Sequence, residues 1–154
     1  MTIDASERDG LTRELGRLAV HRAAPDELAI FDDLAAEYFT DPQAALHPPN
    51  RDETLGFGLD LTLLTPHVLA VVAYVLPLLN DMVTEAAKEH GSALIGSWLG
   101  RLIRREPGPA AVRLSVEQAR QVQAVAFEQA RRAGLDDGRA RLVADSIVGA
   151  VTVG

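Results

Sequence analysis

The sequence contains no cysteine and few aromatic residues, and both absences limit how the chain can be held together. Without cysteine there is no disulfide, no thiolate zinc site and no thiol nucleophile. The apolar residues are mainly Ala, Leu and Val, a mixture that favours helices over sheets. We therefore predict an all-α protein, and its 154 residues are enough for one domain with a buried core.

Lysine is almost absent, since Lys88 is the only one, and the charges are unevenly distributed. Residues 1–60 carry 5 basic and 13 acidic side chains, a balance of −8, whereas residues 101–154 carry 9 and 6, a balance of +3. The middle contributes −2, which gives the total of −7. The acidic total argues against nucleic acid as a partner. Opposite charges at the two ends can steer docking within one chain or between chains.

The N-terminal 22 residues are charged throughout and lack the apolar segment of a secretory signal. We therefore expect a cytoplasmic protein, with membrane association as an alternative that depends on the apolar centre of the chain.

Residues 1–46 predict a pair of amphipathic helices with an acidic face. The first covers residues 4–22 and is capped by Asp4 or Ser6, and the second covers about 26–40. Their apolar stripes are Leu11, Leu15, Leu18 and Ala19 in the first helix and Leu28, Phe31, Ala35 and Tyr38 in the second. The other face of the second helix is purely acidic: Asp26, Glu27, Asp32, Asp33, Glu37 and then Asp41. Such a face needs a partner or plentiful water.

The centre of the chain, residues 61–105, is its most apolar part. Between Asp60 and Asp81 lie 20 residues without a charge, just the length that a membrane span needs. Polar residues and prolines interrupt this run, and acidic residues flank both of its ends, so a permanent span is disfavoured. The pattern favours a buried central helix of a bundle.

This central helix is predicted over residues 66–90. Thr65 and Pro66 are typical of a helix start, a capping hydroxyl followed by proline at the first helical position. Pro77 should kink the helix near Ala73, because proline removes one backbone hydrogen bond.

A second apolar helix is predicted over about 92–105. Small residues spaced four apart on it would let another backbone approach closely, and the helix also carries a tryptophan and ends in three arginines, as in helices that meet a membrane or another subunit. The candidate interface residues are Ser92, Gly96, Trp98, Gly100, Arg101, Arg104 and Arg105. This helix and the central one therefore form either a core, an interface between subunits or a hairpin that inserts into a membrane.

Residues 115–152 predict a C-terminal helical hairpin. Ser115 and Gln118 have the spacing of a capping box, and Gly134 with Leu135 should end the first helix. The second helix, capped by Asp136 or Asp137, has the cleanest apolar stripe in the chain: Ala140, Val143, Ala144, Ile147, Val148 and Val151. The hairpin either packs on the centre or forms a small module of its own.

No pattern in the sequence indicates catalysis, a metal or a cofactor. The four histidines, His21, His47, His67 and His90, have no metal-binding spacing. Asp81, Glu85 and Glu89 share one helix face, but no second helix offers the histidine that a carboxylate metal site needs. Phosphate-binding glycine loops and nucleophile elbows are also missing. We therefore expect a protein that is not an enzyme.

Four stretches within residues 60–150 resemble uncharacterised small helical proteins of actinobacteria, some of which have been suggested to belong to bacterial conflict (defence) systems. The stretches are Leu63-Leu64-Thr65-Pro66, Leu114-Ser115-Val116-Glu117-Gln118-Ala119-Arg120, Ala130-Arg131-Arg132-Ala133-Gly134-Leu135 and Ala144-Asp145-Ser146-Ile147-Val148-Gly149-Ala150. No catalytic residue is defined for those proteins, so the resemblance implies none here.

Two functions are expected from these features. The first is a non-enzymatic protein that acts by assembly, as a homo-oligomer or with a protein partner. The second is a membrane-active effector of a bacterial conflict system, soluble until the hairpin of residues 66–105 inserts into a membrane.

Overall fold

A computed structural model describes residues 4–46, 63–89, 103 and 114–152. These parts of the chain contain six α-helices, one 3-10 helix and no strand, which confirms the predicted all-α bundle. The α-helices, numbered α1 to α6, are Ala5–Ala23, Phe31–Thr40, Pro42–Leu46, Thr65–Glu89, Val116–Arg132 and Asp137–Thr152. The 3-10 helix, Pro25–Ile30, lies between α1 and α2.

Four of the helices form a square bundle in which each packs against two neighbours. Helix α1 contacts α4 and α6, and α5 contacts the same two helices. Within the described ranges, the diagonal pairs α1–α5 and α4–α6 make few or no contacts. Helices α2 and α3 lie outside the square, where both pack on α4 and α2 also touches α1.

Contacts near the helix ends determine the helix directions. Gly16 of α1 lies against Leu69 near the start of α4, and Glu27, four residues past the end of α1, bonds to Leu64 and Thr65, so these two helices are antiparallel. Gly149, near the end of α6, lies against the guanidinium group of Arg22 at the end of α1, so these two are parallel. Because α5 and α6 form an antiparallel hairpin, α5 runs parallel to α4.

Helix α1 begins as its sequence predicts, but its buried face is displaced. The Asp4 carboxylate accepts a hydrogen bond of 2.8 Å from the Glu7 N–H and caps the helix. Leu11, Leu15 and Ala19 are buried as expected, whereas Leu18 is 37% exposed, so its place in the stripe was wrong. The burial extends instead to Thr12, Gly16 and Val20, because α1 packs on both α4 and α6 rather than on one neighbour.

The second predicted helix divides into a 3-10 helix and α2. The Glu27 N–H bonds to the Ala24 carbonyl three residues back, which is the 3-10 pattern, and α2 begins only at Phe31. Of the predicted apolar stripe, Phe31, Ala35 and Tyr38 are buried, whereas Leu28 falls in the 3-10 helix and is half-buried.

The C-terminal hairpin has the end structures that its sequence predicts. Both halves of the capping box are present, with the Gln118 N–H donating to Ser115 Oγ at 3.0 Å and the Ser115 N–H donating to Gln118 Oε1 at 2.9 Å. At the far end of α5, Gly134 has a φ of +104° and the Leu135 N–H bonds to the Ala130 carbonyl at 3.2 Å. Together with the Gly134 N–H bond to Arg131, this is a Schellman motif.

Asp136 caps helix α6, since its carboxylate accepts a hydrogen bond of 2.8 Å from the Arg139 N–H. Five of the six residues in its predicted stripe are buried and Val148 is half-buried. Asp145 on its exposed side accepts a 3.4 Å hydrogen bond from Gln123 of α5.

The buried residues of all the bundle helices form one contiguous core. It includes side chains from α1, α2, α4, α5 and α6, together with Ile103, which is 1% exposed. Pro77 lies inside α4, which is helical on both sides of it. The kink near Ala73 and the predicted boundaries at residues 1–46, 61–105 and 115–152 stay predictions.

The close approach of α1 and α4 at Gly16 can be tested by comparing two glycines of the same helix. A Cβ at Gly16 would lie 2.7 Å from Leu69 Cδ2, whereas one at Gly10 would meet nothing within 4 Å. We expect Gly10→Ala to raise the free energy of unfolding by about 1 kcal/mol through helix propensity. For Gly16→Ala, overpacking against the fully buried Leu69 should offset that gain by about 1–3 kcal/mol. Equal stabilisation by both substitutions in urea unfolding would contradict the contact.

Candidate functional site at the start and outer face of the apolar helix

The start of α4 is held by a carboxylate from a distant part of the chain. Glu27, in the 3-10 helix, accepts hydrogen bonds from the backbone N–H groups of Leu64 at 2.9 Å and Thr65 at 2.8 Å, one on each carboxylate oxygen. The Thr65 hydroxyl donates a third bond of 2.7 Å to Glu27. We call this arrangement the Glu27 clamp. Its negative charge lies where the partial positive charge of the α4 N-terminus is greatest.

The first turn of α4 explains why a clamp from outside is needed. It has no acidic residue of its own, and Pro66 has no N–H to donate. Thr65, predicted to cap the helix with its hydroxyl, is fully buried and uses that hydroxyl as a donor to Glu27 instead. The helix therefore begins on a partly buried carboxylate rather than on a local cap.

Sequence reasoning missed the role of Glu27 because it placed this residue on the acidic face of the second helix. A signal was nevertheless present. A helix that starts at Thr65-Pro66 without an acidic residue in its first turn requires an acceptor from elsewhere in the chain. The sequence could not show which of the 22 acidic residues supplies it.

His67 lies one turn into α4 and is 4% exposed. Its Nδ1 atom lies 3.2 Å from the carbonyl oxygen of Leu63, so the ring packs against the helix start. Of the other histidines, His21 is exposed on α1, and His47 and His90 are outside the described residues. Where the chain is described, no group of three metal-binding side chains comes together.

Part of the acidic face of the second helix is neutralised by α1. Asp32 lies 3.6 Å from the Arg17 guanidinium and 3.8 Å from that of Arg13. The same two arginines stack on aromatic rings, with Arg17 5.5 Å from the ring centre of Phe31 and Arg13 5.5 Å from that of Phe39. The side chains of Arg13, Arg17 and Asp32 are exposed, so each contact contributes little to stability.

The side of α4 that faces away from the bundle is apolar over two turns. Tyr74 is 53% exposed, Pro77 is exposed, and Ala70, Ala73 and Leu78 are half-buried. These five residues share one face of the helix, which we call the outer α4 face. Further along the helix the same face becomes acidic at Asp81 and Glu85.

Helix α4 is also the one described helix that is long and apolar enough to cross a membrane. The window Thr65–Glu85 has a mean hydropathy of 1.5, and 56% of it is buried inside the protein. A core helix of a water-soluble protein has the same length and composition, so this property is weak support for a membrane span.

The candidate interface residues predicted from the sequence lie outside the described residues: Ser92, Gly96, Trp98, Gly100, Arg101, Arg104 and Arg105. Their role stays a prediction. Ile103 is the one residue of that predicted helix that the structure describes, and it is buried.

No family model, curated protein or solved structure matches the chain.

The phenol of Tyr38 gives the packing of α2 a measurable dependence on pH. Burial, and secondly the nearby Asp9 carboxylate, raise the pKa of Tyr38 above its usual value. The folded state therefore keeps this proton at a pH where the unfolded state loses it, and stability should fall as the pH rises above about 10. When the pH is raised from 8 to values above about 10, we expect the free energy of unfolding to fall less in Tyr38→Phe than in the wild type.

Tyr74 is the matched control, because it is the only other tyrosine and is more than half exposed. Urea unfolding of Tyr74→Phe should show the same alkaline loss as the wild type. An identical loss in Tyr38→Phe would mean that Tyr38 does not titrate differently in the folded state.

Proposed function

We propose that this chain is a non-enzymatic helical protein that acts by assembly, through self-association or with a protein partner, and that the outer α4 face is the contact surface. The observation that carries the proposal is the exposure of Tyr74 in the middle of the uncharged part of α4, residues 65–80. The other sides of α4 are covered by α1, α2, α3 and α5, so the outer face is where another helix has access.

The residue types on this face suit a helix–helix contact. Ala70 and Ala73 are small and allow close approach, while Tyr74 offers a large ring with a polar hydroxyl, a combination enriched at protein interfaces. Pro77 also has no N–H to donate to the carbonyl of Ala73, which therefore lacks its usual helical donor. Such a surface can bury an aromatic side chain while satisfying its polar group.

The charge distribution supports association between copies of the chain. Residues 1–60 carry a balance of −8 and residues 101–154 one of +3. Within the first segment, Asp26, Asp33 and Glu37 are exposed, and within the second, Arg120 and Arg141 are exposed. Oppositely charged surfaces on two copies of the chain attract each other at low ionic strength, and salt screens this attraction.

The proposal can be tested by placing a charge on the outer α4 face. We expect the wild-type mass measured by light scattering to rise with protein concentration, and Tyr74→Glu to stay monomeric because its carboxylate would be desolvated in the contact. Leu142→Glu is the matched control: Leu142 is 40% exposed on α6, away from this face, and the substitution should leave association unchanged. A strict monomer at all concentrations, with no partner recovered in a pull-down, would contradict assembly.

A second candidate function is a membrane-active effector of a bacterial conflict system. It is favoured by one observation, the apolar helix Thr65–Glu85, which would leave the bundle and insert together with the residues that follow. The resemblance to helical proteins suggested for defence systems points the same way.

Liposome flotation separates the two functions. For a membrane effector, the purified protein should float with vesicles and release a trapped dye, and Tyr74→Glu should reduce both, since a charge in the apolar core of a bilayer is costly. Protein that stays at the bottom as a defined oligomer, with negligible dye release, would exclude the membrane function and leave assembly.

A further inference from the structure

Residues 25–46 form a layer that is added to the outside of a complete bundle. This segment, which we call the strap, consists of the 3-10 helix, α2 and α3. The square of α1, α4, α5 and α6 has fully buried side chains of its own, among them Leu15, Val72, Val122 and Ile147. Among the described helices, the strap packs mainly against α4 and α1, on one side of this square.

The strap has little local order to hold it in place. Helix α2 has 10 residues and no side-chain cap at its start, and α3 has five residues. Isolated helices shorter than about 12–15 residues are marginal in water. The conformation of the strap therefore depends on its contacts with the bundle.

Besides the buried side chains of α2, the strap makes polar contacts with the bundle, and the Asp32 pairs and the Glu27 clamp differ in strength. The pairs of Asp32 with Arg13 and Arg17 are long, at 3.8 and 3.6 Å, and all three side chains are at least 43% exposed. The Glu27 clamp is partly buried, and its three bonds of 2.7–2.9 Å use both carboxylate oxygens. Charge-assisted bonds of this kind are roughly twice as strong as neutral ones.

The surface under the strap continues the outer α4 face. The ring of Phe31 reaches the same point as Leu69, since both lie within 4 Å of a Cβ placed on Gly16. Leu69 stands four residues before Ala73, so these two side chains lie on one side of α4. Removing Phe31 would therefore extend the apolar surface from Ala73 to Leu69.

From these observations we infer that the strap opens as a unit while the four-helix bundle stays folded, and that the Glu27 clamp keeps it closed. Opening enlarges the apolar surface of α4 that is available for a second copy of the chain. The clamp is thus an autoinhibitory contact, and this role in association rests on the proposed function of the outer α4 face.

Hydrogen exchange of the full chain, followed by mass spectrometry, tests the opening directly. Glu27→Gln removes the charge and places an amide group opposite one of the two backbone N–H groups. We expect the amides of residues 25–46 and of Leu64 and Thr65 to exchange at least about 10-fold faster than in the wild type, with α5 and α6 unchanged. Asp26→Asn is the matched control, because Asp26 is adjacent and exposed and the substitution removes the same charge. The amides of this variant should exchange as fast as those of the wild type.

The wild type provides a second measurement that does not depend on a variant. As urea is raised below the unfolding transition, the strap amides should lose protection before those of α5 and α6. Simultaneous loss of protection in the strap and the hairpin, or an unchanged strap in Glu27→Gln, would overturn the inference.

The association of the same variants separates this inference from the proposed function. If the clamp is autoinhibitory, Glu27→Gln should associate at a concentration at least about 10-fold lower than Asp26→Asn. Faster strap exchange with unchanged association would overturn the autoinhibitory role while leaving the outer α4 face to be judged by Tyr74→Glu. Loss of association in Tyr74→Glu with no effect of Glu27→Gln on exchange would support the interface and overturn the strap.

Discussion

The rest of this structure depends on the need to bury the uncharged part of helix α4. Helix α4 carries no charge from Thr65 to Asn80, so its sides favour burial, and its first turn is buried, so the free N–H groups there need an acceptor from the protein. Three consequences follow. The bundle helices α1 and α5 cover two of its sides, α2 and α3 cover part of a third, and Glu27 supplies the negative charge that the helix start lacks. Together these contacts leave one apolar side of the helix exposed around Tyr74.

That uncovered side connects the fold to both proposed functions. A helix that is apolar all round is suited to the interior of a protein or a bilayer, whereas a surface helix of a monomer has a polar outer side. Helix α4 is intermediate, since its outer face is apolar around Tyr74 and becomes acidic only at Asp81. Assembly would cover this face with protein and a membrane effector would cover it with lipid. The strap adds control, because it covers the neighbouring part of the same surface and is anchored at the start of α4 by the Glu27 clamp.

The parts of the fold that local sequence determines could be predicted, and the long-range parts could not. The capping box at Ser115 and the Schellman motif at Gly134 involve residues within five positions of each other, and both are confirmed. The exposure of Leu18 depends on α1 having two neighbours, which no periodicity in α1 reveals. The Glu27 clamp joins residues 37 and 38 positions apart. The predicted interface residues from Ser92 to Arg105 lie outside the described residues, so the site that emerged, on the outer face and start of α4, is a different part of the predicted hairpin.

Thiol labelling of two single-cysteine variants would test most directly whether α4 is core on one side and contact surface on the other. The chain has no cysteine, so Tyr74→Cys and Val72→Cys each introduce one reporter, at a 53% exposed and a fully buried position. In dilute solution Cys at 74 should react quickly and Cys at 72 slowly, and raising the protein concentration should slow the reaction at 74 alone. Slow labelling at 74 in dilute monomer would mean that the outer face is already covered. Fast labelling at 74 that is independent of concentration, with and without vesicles, would mean that nothing binds there.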